Sequence, residues 1–164
     1  TGAGGAGAGR AARRRERQLT DVQRQAMGQV SEWLAYQFLS RRHGEYVDEA
    51  CWVSTNRAHF FGGDEGNDAA GCDFKVITPK VEWLYEVKSS MDNSGEFELT
   101  ANELRIAGGA SKDGRRRYRI LYVPYVFSPD KWCVLELPNP MGETTRNRFK
   151  TVGRGSVRLR FERQ

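Results

Sequence analysis

The stretch WLYEVKS, residues 83–89, decides the fold of this chain. It is apolar at most positions, as expected of an interior β-strand, yet it contains one acidic and one basic residue. Side chains alternate between the two faces of a strand, so Glu86 and Lys88 project together from one face. Unpaired charges on a buried strand are costly, and these two residues therefore need partners.

The segment CDFKVI, residues 72–77, precedes this strand and is joined to it by TPKVE, a length typical of a hairpin. If the two strands pair, Asp73 converges on Glu86. Two carboxylates at close range repel each other unless a hard divalent cation lies between them. The pattern predicts a Mg²⁺ (or Mn²⁺) site at Asp73 and Glu86, where the cation would polarise a phosphate. Lys88 would stabilise the charge that develops there.

A structural alternative stays open, because Asp and Glu-x-Lys on neighbouring strands also occur by chance. Glu86 and Lys88 would then form a solvated ion pair on one strand face. Three features favour the catalytic interpretation: the apolar character of the strand, the small residues Ser89-Ser90 after it, and an additional carboxylate, Glu32, on a preceding helix.

Two capping boxes predict the starts of two helices. TDVQ, residues 20–23, begins a helix over about residues 20–41 with Glu32 beside its buried stripe. TANE, residues 100–103, begins a second helix, which Gly108-Gly109 is expected to end near Ala107. Its Glu103 is explained by capping, although it also belongs to a motif considered below.

Further strands follow from apolar runs and from alternation. They are expected at Cys51–Thr55, at Tyr118–Phe127 with a bend at Pro124, at Trp132–Leu137 and, as an edge strand, at Val157–Phe161. The element order is α, β, β-hairpin, α, β, β. This order predicts an α/β fold, more narrowly an α+β mixed sheet flanked by helices.

The bulk composition predicts one cytoplasmic domain. A chain of 164 residues with 38% hydrophobic residues suffices for a single core. Cys51, Cys72 and Cys133 form no Cys-x-x-Cys pair and do not cluster in sequence with His43 or His59, so neither disulfides nor zinc are expected. No apolar run approaches the roughly 20 residues that cross a bilayer, so no membrane partner is expected.

Basic residues concentrate near the two ends of the chain. Residues 1–18 are rich in Gly, Ala and Arg and are expected to be a flexible linker or tail, with a nucleic-acid arm as the alternative; residues 19–164 form the domain. Two other basic segments are expected to contact the phosphates of DNA. Their residues are Lys112, Arg115, Arg116, Arg117, Arg146, Arg148 and Lys150.

Several stretches together resemble a known family. They are GQVSEWLAYQFL (28–39), CWVSTN (51–56), GCDFKV (71–76), YEVKSS (85–90) and FELTANELRIA (97–107). This set resembles the No Vein C-terminal domain family, a branch of the PD-(D/E)XK restriction-endonuclease-like superfamily. The resemblance implies an αβββαβ core with helices flanking a central mixed sheet.

The resemblance also implies roles for individual residues. Asp73 and Glu86 match the metal-binding carboxylates, Lys88 matches the catalytic lysine, and Glu32 matches a helix glutamate that assists the metal. Two positions depart from the pattern: Ser31 stands where a Gly is usual, and no Pro precedes Asp73. Neither departure removes a ligand, so the metal site is expected to be intact.

The implied function is a metal-dependent DNA endonuclease that serves as the nuclease module of a larger bacterial defence or restriction system. Two alternatives remain. The domain would be a catalytically inactive nuclease fold that binds nucleic acid or a partner protein within a larger ATPase assembly, or it would be a purely structural part of such an assembly. The complete set of Asp73, Glu86 and Lys88 favours the enzyme.

Overall fold

The structure is a computed structural model that describes residues 19–152 and 157–162. The linker or tail expected over residues 1–18 lies outside this range. Helix α1, Asp21–His43, begins at the predicted capping box, in which Thr20 and Gln23 each accept a hydrogen bond from the backbone N–H of the other. None of the helices in the described ranges combines the length and apolarity needed to span a bilayer.

A four-stranded mixed sheet forms the centre of the fold, in the order β1-β2-β4-β5. The predicted hairpin is confirmed, because β1 and β2 are antiparallel. Strands β2 and β4 run parallel, and β5 returns antiparallel to β4. These strands are β1 Phe74–Ile77, β2 Glu82–Ser89, β4 Arg116–Val123 and β5 Leu135–Leu137. The predicted mixed α/β class is confirmed.

A second sheet of three strands has the order β3-β7-β6. Its strands are β3 Glu96–Leu99, β6 Phe149–Thr151 and β7 Val157–Phe161. The sequence did not predict β3, and the expectation that Val157–Phe161 is an edge strand is wrong, since β7 pairs with a strand on each side. Alternation along a strand shows that one face is buried, but it does not show how many neighbours the strand has.

The expected strand at Cys51–Thr55 is also wrong. Residues Glu49–Cys51 form a 3₁₀ turn, because the Asp48 carboxylate accepts the N–H groups of Ala50 and Cys51. Beyond it, Trp52 makes only an isolated bridge to Phe74. The apolar run is therefore buried without joining a ladder.

The remaining elements differ from expectation mainly in length. Strand β4 ends at Val123, directly before Pro124, and β5 begins at Leu135, three residues later than predicted. Helix α2 is a short segment, Arg57–Phe61. Helix α3, Ala101–Lys112, continues through Gly108-Gly109, which were expected to end it. Ala110 beyond them is buried, so tertiary packing outweighs the weak helix propensity of glycine here.

The main sheet is covered on both faces. Helix α1 packs on one face, where the core contains Leu34, Leu39, Phe74, Tyr85 and Leu121. Helix α3 and the second sheet cover the other face, where the core contains Leu84, Phe97, Ala107, Ile120 and Leu159. Alternation along β2 places Glu86 and Lys88 on the Leu84 face, so both side chains lie beneath α3.

Gly71 sets how closely the chain approaches α3 directly before Asp73. Its φ of 72° lies in the left-handed region, and a Cβ at this position would lie 2.6 Å from Ile106 Cγ1. Only glycine combines this conformation with this contact at low cost. The conformation of Gly71 therefore helps to determine where the backbone places Asp73.

Alanine substitutions at two glycines test these assignments with opposite expected signs. Gly109→Ala meets no atom within 4 Å in the helix interior, so it should stabilise the fold by about 0.5–1 kcal/mol. Gly71→Ala should destabilise it by about 1–3 kcal/mol, because the residue has positive φ and a steric clash. Urea unfolding measures both changes, and a destabilised Gly109→Ala variant would mean that α3 ends earlier.

Candidate active site

Asp73 lies directly before β1 and is fixed by its own backbone. Its N–H donates to the Tyr85 carbonyl at 2.8 Å, and its carbonyl accepts from Val53 N–H at 2.8 Å. Its Oδ2 accepts the N–H of Val87 at 2.7 Å, so the side chain takes the place of a strand partner for β2. Because Phe74 pairs with Tyr85, the antiparallel register places Asp73 opposite Glu86.

Lys88 lies between two carboxylates beneath α3. Its Nζ is 2.8 Å from Glu86 Oε1 and 3.1 Å from Glu103 Oε2. The side chains of Lys88, Glu86 and Glu103 are 18%, 7% and 14% exposed, so this is a largely buried ion cluster and not the solvated pair of the structural alternative. The structure thus brings together Asp73, Glu86 and Lys88, as predicted from spacing, and adds Glu103.

Acidic side chains outnumber basic ones in this cluster. Burial raises the pKa of Glu86 to about 8, with a further contribution from Glu103 and opposition from Lys88. Burial also raises the pKa of Asp73 well above its usual range, and the charges of Glu86 and then Glu32 raise it further. Burial lowers the pKa of Lys88, but Glu86 and Glu103 outweigh it and the net pKa is raised. The site therefore favours additional positive charge.

Glu32, the additional carboxylate predicted on α1, is buried and already has hydrogen-bond partners. Its Oε2 accepts from Trp52 Nε1 at 2.7 Å and from the Ser54 hydroxyl, and its Oε1 accepts from Asn56 Nδ2 at 2.6 Å. Burial raises its pKa, and these three donors partly oppose the rise. Glu32 acts on Asp73 through its charge, and its role as a metal ligand stays a prediction.

The three donors to Glu32 were not predicted as site residues, although a signal was present. All of them come from CWVSTN, residues 51–56, a stretch that belongs to the quoted family resemblance. It was interpreted as a strand because of its apolar start. A buried carboxylate on α1 requires donors, and a Trp-x-Ser-x-Asn run supplies three.

Tyr118 was also missed, since it lies in the apolar run that became β4. It is fully buried, and its hydroxyl has no hydrogen-bond partner in the part of the chain that the structure describes. Burial raises its pKa, and the charges of Glu86, Glu103 and Asp73 add to this effect. An unpaired buried hydroxyl costs free energy, so Tyr118 is a buried donor that lacks a partner within the charged region.

Asp73 and Glu86 are the residues that would hold the Mg²⁺ or Mn²⁺ predicted from the sequence. Asp73 and Glu86 are hard oxygen donors in excess of local positive charge, and Mg²⁺ is commonly held by one or two carboxylates with water and phosphate oxygens. The unpartnered Tyr118 hydroxyl is consistent with a hydrated site. Among residues 19–152 and 157–162, no group of three or more His, Cys, Asp or Glu side chains is arranged to hold a metal ion. The metal site stays a prediction, with Asp73 and Glu86 as its two carboxylates.

The basic segment around β4 does not converge on this cluster. Arg116 pairs with Glu82 in the parallel register, whereas Tyr122 pairs with Lys88. Six residues of strand separate these positions, which is about 20 Å. Arg116 is also partly neutralised, since its Nε is 3.1 Å from Glu82 Oε2. Lys112 and Arg115 are exposed at the same end.

The second predicted basic segment lies on the three-stranded sheet. Lys150 forms an ion pair with Glu162 at 2.7 Å, and the Arg148 guanidinium lies 4.7 Å from the centre of the Phe161 ring. Arg146 is exposed. Contact of either segment with DNA stays a prediction. A contact made by Arg116 of the first segment would lie about 20 Å along β4 from the residue opposite Lys88.

Comparison with known protein families, with curated proteins and with solved structures finds no match for this chain. The resemblance to the No Vein C-terminal domain family and to the PD-(D/E)XK superfamily therefore depends on the quoted motifs alone. The function of the site has to follow from its own geometry and charge.

The raised pKa of Glu86 predicts how stability depends on pH. Between its ordinary pKa of 4.5 and about 8, the folded state keeps a proton that the unfolded state has released. Stability therefore falls as pH rises through this window and levels off above it. Glu86→Gln removes this titration. In urea unfolding from pH 4 to 9, the free energy of unfolding of the variant should rise relative to that of the wild type as pH increases across the window. A constant difference between the two proteins would contradict the raised pKa.

Proposed function

We propose that this domain is a metal-dependent nuclease that hydrolyses phosphodiester bonds in DNA, with Asp73, Glu86 and Lys88 as its catalytic residues. One observation supports this most: two acidic side chains and an ammonium lie together at a buried strand face, and burial together with their mutual charge raises the pKa of both acids. A buried ion cluster contributes little net stability, which favours a functional role for it.

Each side chain has a distinct role in this proposal. Asp73 and Glu86 would hold the Mg²⁺ or Mn²⁺, which when bound polarises the scissile phosphate and lowers the pKa of an attacking water. Lys88 presents an ammonium that stabilises charge on the phosphate oxygens in the transition state. Tyr118 offers a buried hydroxyl as a hydrogen-bond donor within the same charged region.

DNA is the proposed partner because exposed cations lie in the segments that lead into both sheets. Phosphate neutralisation by such residues releases counterions, which makes binding independent of sequence and sensitive to salt. Lys112 and Arg115 are the best placed of the first segment, since they are exposed, while Arg116 is paired with Glu82. The family resemblance adds the setting, a cytoplasmic module within a larger bacterial defence or restriction system with further domains or subunits.

A non-catalytic module that binds nucleic acid or a partner protein is the second candidate. One observation favours it: both oxygens of Glu32 and Oδ2 of Asp73 already accept hydrogen bonds from protein donors. The arrangement is thus partly satisfied without a cation. Metal dependence separates the two candidates, because only the nuclease requires it.

Substitutions on β1 and β2 test the catalytic assignment against a matched pair. Asp73→Asn and Lys88→Met should each reduce plasmid cleavage in Mg²⁺ or Mn²⁺ by about 100-fold or more, since they remove a metal ligand and an electrostatic contact. Lys75→Met and Glu82→Gln break an ion pair of 2.7 Å on the same two strands and should leave cleavage unchanged. Cleavage that survives EDTA or Asp73→Asn would exclude the proposed chemistry.

Metal binding is expected to stabilise the fold independently of activity. Mg²⁺ at 100 times its dissociation constant should add about 2.7 kcal/mol to the free energy of unfolding. Asp73→Asn should lose most of this gain while folding normally, because an amide oxygen can still accept the Val87 N–H. Thermal unfolding with and without millimolar Mg²⁺ measures the effect. A wild-type melting temperature that does not respond, together with intact DNA binding, supports the non-catalytic module.

A further inference from the structure

Glu103 has two interactions that a single capping role does not explain. Its Oε2 accepts the N–H of Thr100 at 2.9 Å, which completes the capping box of α3. The same oxygen lies 3.1 Å from Lys88 Nζ, which approaches from β2. The first contact is local in sequence, whereas the second joins the helix to the charged cluster.

The capping function does not require a negative charge. The box at the start of α1 has the same two hydrogen bonds, with Gln23 in the place of Glu103. Glutamine and glutamate both serve at this position of a capping box. The helix dipole also favours a negative charge in the first turn, but the cation that the Glu103 carboxylate contacts is Lys88.

Glu103 is also the partner of Lys88 that remains when Glu86 is engaged elsewhere. Lys88 contacts Glu86 and Glu103, and Asp73 is the third acidic group that acts on it. In the proposed nuclease, Asp73 and Glu86 hold the cation. A bound cation would neutralise part of their charge. The ion pair with Glu103 would then be the main interaction that positions the Lys88 ammonium. A charge-assisted contact of this kind is about twice as strong as a neutral one.

We infer that Glu103 is a positioning residue that holds the Lys88 ammonium in the site from the first turn of α3. The inference rests on the proposed nuclease function for its role in the reaction, but the contact between the two side chains does not depend on that function. Helix α3 is thereby part of the site, and its first turn sets where Lys88 points.

Two substitutions separate positioning from capping. Glu103→Gln keeps the capping box and removes the charge, whereas Thr100→Ala removes the hydroxyl that caps the helix and keeps the charge. Glu103→Gln should lower single-turnover plasmid cleavage by roughly 10- to 100-fold, as expected for an outer-shell partner, with DNA affinity and melting temperature near the wild type. Thr100→Ala should lower the melting temperature and leave cleavage unchanged below it.

Amine acetylation followed by mass spectrometry provides a readout that needs no nuclease activity. Lys88 should be protected in the wild type and in Thr100→Ala, and labelled several-fold faster in Glu103→Gln, with the more exposed Lys75 as the internal reference. If the wild type does not cleave DNA, the proposed function fails, and this labelling alone decides the inference. Wild-type protection of Lys88 in Glu103→Gln overturns it, as does a loss of cleavage that follows the loss of stability in both variants.

Discussion

The Lys88 ammonium between the carboxylates of Glu86 and Glu103 is the interaction on which the arrangement of this fold depends. Three largely buried charges are tolerated only when each has a partner at close range. This requirement ties the first turn of α3 to the C-terminal end of β2, within the connection between the parallel strands β2 and β4. The backbone N–H of Thr100 also binds the Glu103 carboxylate, and Gly71 lies where the chain that carries Asp73 passes close to the same helix.

The sequence predicted what local patterns determine. Both helix starts followed from capping boxes, and the pairing of β1 with β2 followed from a short connection, so Asp73, Glu86 and Lys88 could be placed on one face. The sequence-based prediction failed where the structure depends on contacts between residues far apart in the chain. Strand β3 exists because β7 pairs with it, α3 passes two glycines because Ala110 is buried, and the hydroxyl of Tyr118 matters only through neighbours on other elements.

Buried acidic side chains on the two sides of Asp73 are stabilised in different ways. On the α1 side, Glu32 is satisfied by neutral donors from Trp52, Ser54 and Asn56. On the α3 side, Glu86 and Glu103 are balanced by one ammonium, and the balance is incomplete. Neutral donors hold the Glu32 carboxylate without adding positive charge. On the α3 side, acidic side chains outnumber the one ammonium, and this arrangement favours a further cation or proton. The proposed chemistry therefore belongs to the α3 side, and the Glu32 network is the side already satisfied by protein donors.

The sequence separations within the site have a consequence for folding. Asp73, Glu86, Lys88 and Glu103 all lie within about 30 residues, so their contacts close short loops and lose little chain entropy. The pairing of β3 with β7 instead joins residues about 60 positions apart. Short-range contacts form faster than long-range ones. The contacts of the charged cluster are thus able to form with the hairpin and α3 before β7 pairs with β3.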